Sequence, residues 1–252
     1  MKEKSEFFSK VKSIFTENSL ESYLEDEILE KFHYLTEIML ETNEKMNITA
    51  ITDIEAVIAR HYADSLLMLS ASIEKNSKVC DVGCGGGFPS FPIAIARPDL
   101  TIIGIDSTAK KVSYVNETAK KIGLSNLSAI SGRAEELCGT DSELKLRESF
   151  DVVCARAVAS LPVLSELCLP FVRLGGRFIA LKSRTADDEL KAAKSGIAKL
   201  GGKIEKTEKM VLKDKTLSES TDAERTLITI RKIGETPKKY PRAYAQIKKK
   251  PL

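Results

Sequence analysis

The residues best suited by type and spacing to do chemistry lie in Val79-Cys80-Asp81-Val82-Gly83-Cys84-Gly85-Gly86-Gly87-Phe88-Pro89. Apolar or small positions and an acid precede a glycine cluster, and a proline follows it. The run reads as a buried parallel strand, a tight turn and a helix starting near Pro89, where the amide that proline lacks is unpaired in any case. Gly83, Gly85 and Gly87 permit positive φ and close approach of the backbone to a ligand. Such a turn opens a crevice at the carboxyl edge of a doubly wound sheet. A second acid, Asp106, ends the next apolar run 25 residues after Asp81. An acid there can accept hydrogen bonds from both hydroxyls of a ribose. Asp106 or Ser107 is also suited to cap the helix that follows, and the two roles are compatible.

Glycine spacing separates the nucleotide cofactors. The dinucleotide fingerprint Gly-x-Gly-x-x-Gly would place its third glycine at Phe88 or Ser90, so neither register works. Gly83-x-Gly85-x-Gly87, with Asp81 two residues ahead, resembles instead the first motif of Rossmann-like S-adenosylmethionine-dependent methyltransferases. An acid at Asp81 suits a cofactor that carries an amino group and a sulfonium in place of a pyrophosphate. Taken alone, the motif also fits a glycine turn that merely packs.

The elements that must hold these residues follow from periodicity. From residue 79 strand and helix alternate: strands over 101–106, 127–131, 150–155 and 177–181, helices over 110–122, 161–172 and 187–200. The second helix is expected to stop at Gly175-Gly176 and the third at Gly201-Gly202. Alternating strands near 203–212 and 225–233 close the sheet, and the polar loop between them, 213–224, is expected to be mobile. Residues 1–45 read as helices, with Phe7, Val11, Ile14 and Phe15 on one face and Ile28, Phe32, Leu35 and Met39 on another. Their eleven acids against six lysines mark a solvated outer face. The expected division is a helical cap and connector over 1–70, a Rossmann-like α/β domain over 71–236 and a basic tail over 237–252.

Composition excludes several classes. With 42% hydrophobic and 30% charged residues the chain reads as an ordinary globular protein. The five cysteines are odd in number and lie mostly in apolar runs, as expected of reduced thiols in a cytoplasmic protein. Two histidines and no second cysteine pair argue against a metal site. The opening Met-Lys-Glu-Lys-Ser-Glu does not read as a secretory leader, and no apolar run approaches a membrane span. The net charge of +3 is uneven. Residues 237–252 carry Lys238, Lys239, Arg242, Lys248, Lys249 and Lys250 and no acid, so the rest of the chain sums to −3. A basic tail on an acidic body suggests an anionic partner such as nucleic acid.

Other candidate positions sit where the strands end. Gly132-Arg133-Ala134-Glu135 follows the third strand and would border an adenine, with Ala134 and Glu135 as cofactor contacts and Arg133 near the cleft or in a surface ion pair. The fourth strand ends Cys154-Ala155-Arg156-Ala157, where a methyl acceptor would sit. The Asn/Asp-Pro-Pro-aromatic motif of amine methylation is absent, and no Pro-Cys nucleophile exists. Arg156 remains, able to hold guanine O6, a phosphate or a cofactor carboxylate, or to be structural. Lys182, after the fifth strand, is a weaker candidate for the same cleft. His61 and Asp64 lie three apart; a hydrogen-bonded connector is the better reading of His61, with a general base as the alternative.

In order, Asn47-Ile48-Thr49, Arg60-His61 with Asp64-Ser65-Leu66, Asp81 through Pro89, Asp106-Ser107 with Lys110-Lys111, Arg133 with Glu135, Arg156-Ala157 and Pro237 through Arg242 resemble the RsmG (GidB) family of bacterial 16S ribosomal RNA guanine-N7 methyltransferases. The resemblance runs from about Leu24 to the C-terminus. It implies a class I methyltransferase sheet, S-adenosylmethionine as cofactor and 16S rRNA, the small ribosomal subunit or its assembly intermediates as partner. It implies neither a membrane nor an obligate protein partner. By resemblance Gly83, Phe88, Ala134, Glu135 and Arg156 contact the cofactor, and Arg133, Arg156 and the basic tail face RNA. Cys84 stands where Ser, Thr or Ala is usual, and Ala243-Tyr244-Ala245 where a basic residue and glycine are more typical. Guanine N7 has a free lone pair, so no catalytic base is expected; aligning the base and excluding water would suffice. A small-molecule methyltransferase and a non-catalytic rRNA-binding assembly factor are the alternatives.

Overall fold

A computed structural model describes residues 2–156, 159–183, 185–217 and 223–252. At the N-terminus, α1 (Lys2–Glu17) and α2 (Asp26–Asn43) are amphipathic helices. After them α3 (Ile54–Val57) runs through a π-helical segment, Ile58–Ala63, into α4 (Asp64–Leu66). Seven strands follow: β1 (Lys78–Val82), β2 (Thr101–Asp106), β3 (Leu127–Ser131), β4 (Phe150–Arg156), β5 (Val172–Lys182), β6 (Gly202–Val211) and β7 (Glu224–Lys232). They form one sheet in the order β3-β2-β1-β4-β5-β7-β6. β1 to β5 pair in parallel, and β7 is antiparallel to both β5 and β6. The connecting helices are α5 (Ser90–Ala96), α6 (Ala109–Lys121), α7 (Ala134–Leu137), α8 (Leu161–Cys168) and α9 (Ala186–Lys199). A last helix, α10 (Tyr244–Lys249), lies in the basic segment.

Strand order reverses between β1 and β4, which opens a crevice at their carboxyl ends. The central strands are buried on both faces, so β1 shows little polar alternation. Its side chains still split by the period of two. Val79 joins a core with Phe15, Phe32, Tyr62 and Phe91, while Cys80 and Val82 join Leu164, Phe178, Ile228 and Ile247 on the other face. The N-terminal helices therefore share one core with α5 and the strands beneath it. The tail helix likewise contributes Ile247 to the core of the opposite face.

Two sequence-based expectations are corrected. The helix placed over 161–172 ends at Cys168, a 3-10 turn covers Leu169–Phe171, and β5 already starts at Val172. Pro170 has no amide to continue the helix. Its carbonyl and that of Phe171 accept the Glu148 and Ser149 amides at 2.8 and 3.0 Å, which draws the chain into the sheet. Gly175-Gly176 therefore sits inside β5, where β4 and β5 shift register. Nor is the first half of the 213–224 loop loose. The Asn18 amide group exchanges hydrogen bonds with the backbone of Lys213, and Arg60 binds Asp214 and the Thr216 carbonyl. Residues 218–222 lie outside the described residues.

The glycine turn has φ of +78°, +52° and +86° at Gly83, Gly85 and Gly87. Lack of space applies at Gly87, where a Cβ would come within 2.2 Å of the Phe91 ring. At Gly85 it would meet only the Gly83 carbonyl, at 3.9 Å, so conformation is the constraint there. Cys84 faces Gly104 of β2, where a Cβ would lie 2.9 Å from its sulfur; this pairing requires a small residue at position 104. Gly87→Ala is expected to cost roughly 2–4 kcal/mol, from left-handed strain plus overpacking. Gly85→Ala is expected to cost about 1–2 kcal/mol, from strain alone. Urea denaturation of both variants measures the difference; equal losses would show that Phe91 yields.

Candidate functional site

At the carboxyl edge of β1, β2 and β3 lies a cavity of about 240 Å³. Gly83 from the glycine turn, Asp106 and Ser107 from the end of β2, and Gly132 to Glu135 after β3 line it. Val82, Ile105 and Leu167 supply apolar surface, and Tyr244 of α10 completes the lining. The sequence-predicted Gly83, Asp106, Ala134 and Glu135 meet here, together with Arg133, which was expected on the RNA side. The Asp106 carboxylate accepts the Gly85 amide at 3.0 Å and the Thr108 amide at 2.8 Å, which holds turn and helix start together. Two carboxylate oxygens offer about four acceptor sites, so the side chain retains capacity for a ligand's hydroxyls. Arg133 donates from Nε to Glu135 at 2.6 Å, and its guanidinium carbon lies 5.0 Å from the Tyr244 ring centre.

Asp81, Gly85, Gly87 and Phe88 do not line this cavity. Asp81 is 1% exposed and accepts the Ser90 hydroxyl at 2.5 Å, tying the start of α5 to β1. Burial raises its pKa to about 6, against the lowering effects of the Ser90 bonds and Arg156. Its Oδ1 has no partner among the described residues. A buried acceptor without a donor, beneath a turn that borders a cavity, fits a cofactor bearing an ammonium group. Phe88 is covered by His61, whose ring stacks on it at 4.3 Å and 10°. His61 hydrogen-bonds Thr49 Oγ1 at 2.8 Å. Its burial, assisted by the nearby Arg156 charge, lowers its pKa to about 3, so the ring is neutral at physiological pH.

Arg156 stands at the end of β4 as expected, but it is engaged with the N-terminal elements. Its Nη1 donates to the Arg60 carbonyl at 2.6 Å and to Asp64 Oδ2 at 2.8 Å, using both hydrogens of that nitrogen. Asp64 Oδ1 accepts from Arg225 Nε of β7 at 2.6 Å. One buried carboxylate thus joins the connector, β4 and β7. Ala157 lies outside the described residues. Lys182 is directed to the Ala159 carbonyl at 2.8 Å and to Glu189 at 2.9 Å. In the tail, Lys238, Lys239, Lys248, Lys249 and Lys250 are exposed. Arg242 is not part of that exposed charge: its guanidinium and amide make three hydrogen bonds of 2.6–2.9 Å to Glu166, which is fully buried in α8. Tyr244 was missed as a lining residue. The lone acid Glu166 within the apolar stretch 161–171 was the available signal that something basic must dock there. All five cysteines are buried and unbridged, and among the described residues no group of three or more His, Cys, Asp or Glu is placed to hold a metal. No helix among the described residues is long and apolar enough to cross a membrane.

Comparison with known proteins adds the following. The GidB family model, described as rRNA small subunit methyltransferase G, matches residues 28–218. Ribosomal RNA small subunit methyltransferase G of Lachnoclostridium phytofermentans is 44% identical over 225 residues, covering 89% of each chain. The protein of the same name from Clostridium beijerinckii is 42% identical over 230 residues, covering 91% of this chain and 92% of its own. Among solved structures, a chain from the complex of the Haloferax volcanii Trm112 methyltransferase activator aligns with a TM-score of 0.54 at 13% identity, over 79% of this chain and 98% of its own. The [4+2]-cyclase SpnF aligns with a TM-score of 0.50 at 16% identity, over 68% of this chain and 82% of its own. At such identities the structural likeness concerns the fold alone.

Asp64 is the shared acceptor of two arginines that are each 13% exposed at the side chain. Asp64→Asn leaves both cations facing a neutral amide. It is expected to destabilise the protein by on the order of 3 kcal/mol, the scale of breaking a buried pair from one side. An unchanged midpoint in urea denaturation would show that the arginines re-pair elsewhere.

Proposed function

This chain belongs to the rRNA small subunit methyltransferase G (GidB) family, and on that premise we propose that it methylates N7 of a guanine in 16S ribosomal RNA. S-Adenosylmethionine is the methyl donor. The observation that carries the reading is the cavity at the carboxyl edge of β1 to β3, where Gly83, Asp106, Ala134 and Glu135 converge. In this reading Asp106 holds the ribose hydroxyls, Ala134 and Glu135 border the adenine, and the buried Asp81 carboxylate attracts the cofactor's amino group. The glycine turn brings backbone close to the ligand, and Phe88 braces that turn through its stack on His61. Bound there, S-adenosylmethionine supplies an electrophilic methyl group on a sulfonium.

The residues of this chain then position and exclude water rather than move protons. Guanine N7 carries its own lone pair, so methylation there would leave these residues no proton to remove. His61, neutral and with a pKa near 3, is too weak a base to be tuned to neutral pH. Arg133, 45% exposed at the side chain beside the cavity, is the cation best placed to meet an RNA phosphate or guanine O6. Arg156 shares that role through the donors its bonds to Asp64 and Arg60 leave over. The exposed lysines of the C-terminal segment add sequence-independent attraction to the RNA backbone. Arg242 and Lys182, each held by an internal acid, are assigned to structure. An rRNA substrate places the enzyme in the cytoplasm, acting on the small subunit or its assembly intermediates.

Incubation with small subunits and labelled S-adenosylmethionine, followed by mass mapping of the rRNA, tests the assignment. Label at a single guanine, as 7-methylguanine, is expected. Label confined to small molecules, or none at all, would favour the small-molecule methyltransferase or the non-catalytic assembly factor.

The single-turnover rate at saturating cofactor is expected to be flat between about pH 6.5 and 8.5, since no base titrates in that range. A rise through one ionisation that His61→Ala removes would make His61 a general base.

A further inference from the structure

The basic C-terminal segment is built into the body of the protein. Arg242 is clamped by the buried Glu166, and Arg147 donates to the carbonyls of Thr236 at 2.6 Å and Tyr240 at 2.8 Å. Ile247 is fully buried in the core around α8 and α9. Leu252 packs so closely on Gly196 of α9 that a Cβ at 196 would lie 2.8 Å from it. Between these anchors, Tyr244 starts α10 and its ring borders the cavity beside Arg133, Ala134 and Glu135. A rigid frame therefore delivers an aromatic ring to the β3 side of the cavity, beyond the acid that ends β2.

We propose that Tyr244 is a cofactor-binding residue: its ring, with the Arg133 guanidinium packed against it, forms the wall on which the adenine of S-adenosylmethionine stacks. The inference rests on the cofactor assignment made above. The chemistry of the wall fits a flat, neutral purine. Aromatic rings and guanidinium planes both stack on base faces, and each such contact is worth a measurable part of the affinity. Ala134, small and adjacent, leaves the approach to the ring open, while Asp106 is set to hold the ribose that carries the base. The residue comes from Ala243-Tyr244-Ala245, the stretch at which the sequence departs from the family pattern it resembles. It also gives residues 237–252 two roles, since the helix that presents Tyr244 to the cofactor presents Lys248 and Lys249 to solvent.

Calorimetric titration with S-adenosylmethionine tests the proposal on the full chain and on Tyr244→Phe, Tyr244→Leu and Tyr244→Ala. Loss of one stacking contact should weaken binding about tenfold in Tyr244→Ala and Tyr244→Leu. Tyr244→Phe keeps the aromatic face and should stay within about twofold. Methyl transfer should show a matching rise in KM for the cofactor, about tenfold, with kcat unchanged. The leucine variant preserves apolar bulk and guards against an alanine variant that fails to fold. Affinity equal to the parent in a folded Tyr244→Leu protein would overturn the proposal and leave the cofactor assignment standing. A parent protein that binds no S-adenosylmethionine would overturn both.

Discussion

The turn from β1 into α5 is the constraint on which the rest depends. Three glycines at positive φ bring the chain round in a space that Phe91 closes on one side and that Cys84, seated on Gly104, fills on another. Because the turn is tight, its backbone can reach the Asp106 carboxylate at the end of the neighbouring strand. Asp81 below it can bind the first turn of α5 through Ser90. Parallel register sets the two acids at adjacent strand ends, with Val82 opposite Ile105. The cavity is what remains between this turn, the end of β2 and the turn after β3.

Around that turn the structure invests its buried charges in joining elements. Asp64 holds Arg156 of β4 and Arg225 of β7 from the connector, and Arg60 holds the 213–217 segment through Asp214. A buried ion pair is a weak source of net stability, but breaking it from one side strands a charge at a cost of about 3–5 kcal/mol. The same field, added to burial, keeps His61 neutral and lets it serve as an aromatic plate on Phe88. The N-terminal helices are thereby bound to the site through packing and charge at once. Tyr62 shows the packing part: it stacks on Phe32 at 4.6 Å and shares a 2.6 Å hydrogen bond with Thr36 of α2.

On the opposite face one demanding group fixes the C-terminal segment at Arg242. Glu166 lies in a helix with no exposed residue, and a carboxylate there requires a cation. Arg242 satisfies it with a two-pronged contact and brings the segment's backbone with it. Of six tail charges, one is spent inside the protein and five lysines face solvent. Solvent-facing positive charge and the Tyr244 edge of the cavity thus reside in one short stretch.

Sequence alone determined whatever depends on local pattern. The alternation of strand and helix, the glycine spacing that excludes a dinucleotide, the acid at Asp106 and the uneven charge are all legible because each rests on residues close together in the chain. Local pattern also misled where a tertiary bond competed: Gly175-Gly176 reads as a helix stop, yet hydrogen bonds from Glu148 and Ser149 pull the chain into β5 beforehand. The partners of the charged side chains were decided only in three dimensions. Arg156 and Asp64 are 92 residues apart, Arg225 and Asp64 161, Arg242 and Glu166 76. No periodicity links positions so distant, and an arginine in a sequence looks the same whether it meets a phosphate or a buried carboxylate. Tyr244 was invisible for the same reason: its place at the cavity follows from where Glu166 holds Arg242, a fact that exists only once the sheet and its helices have packed.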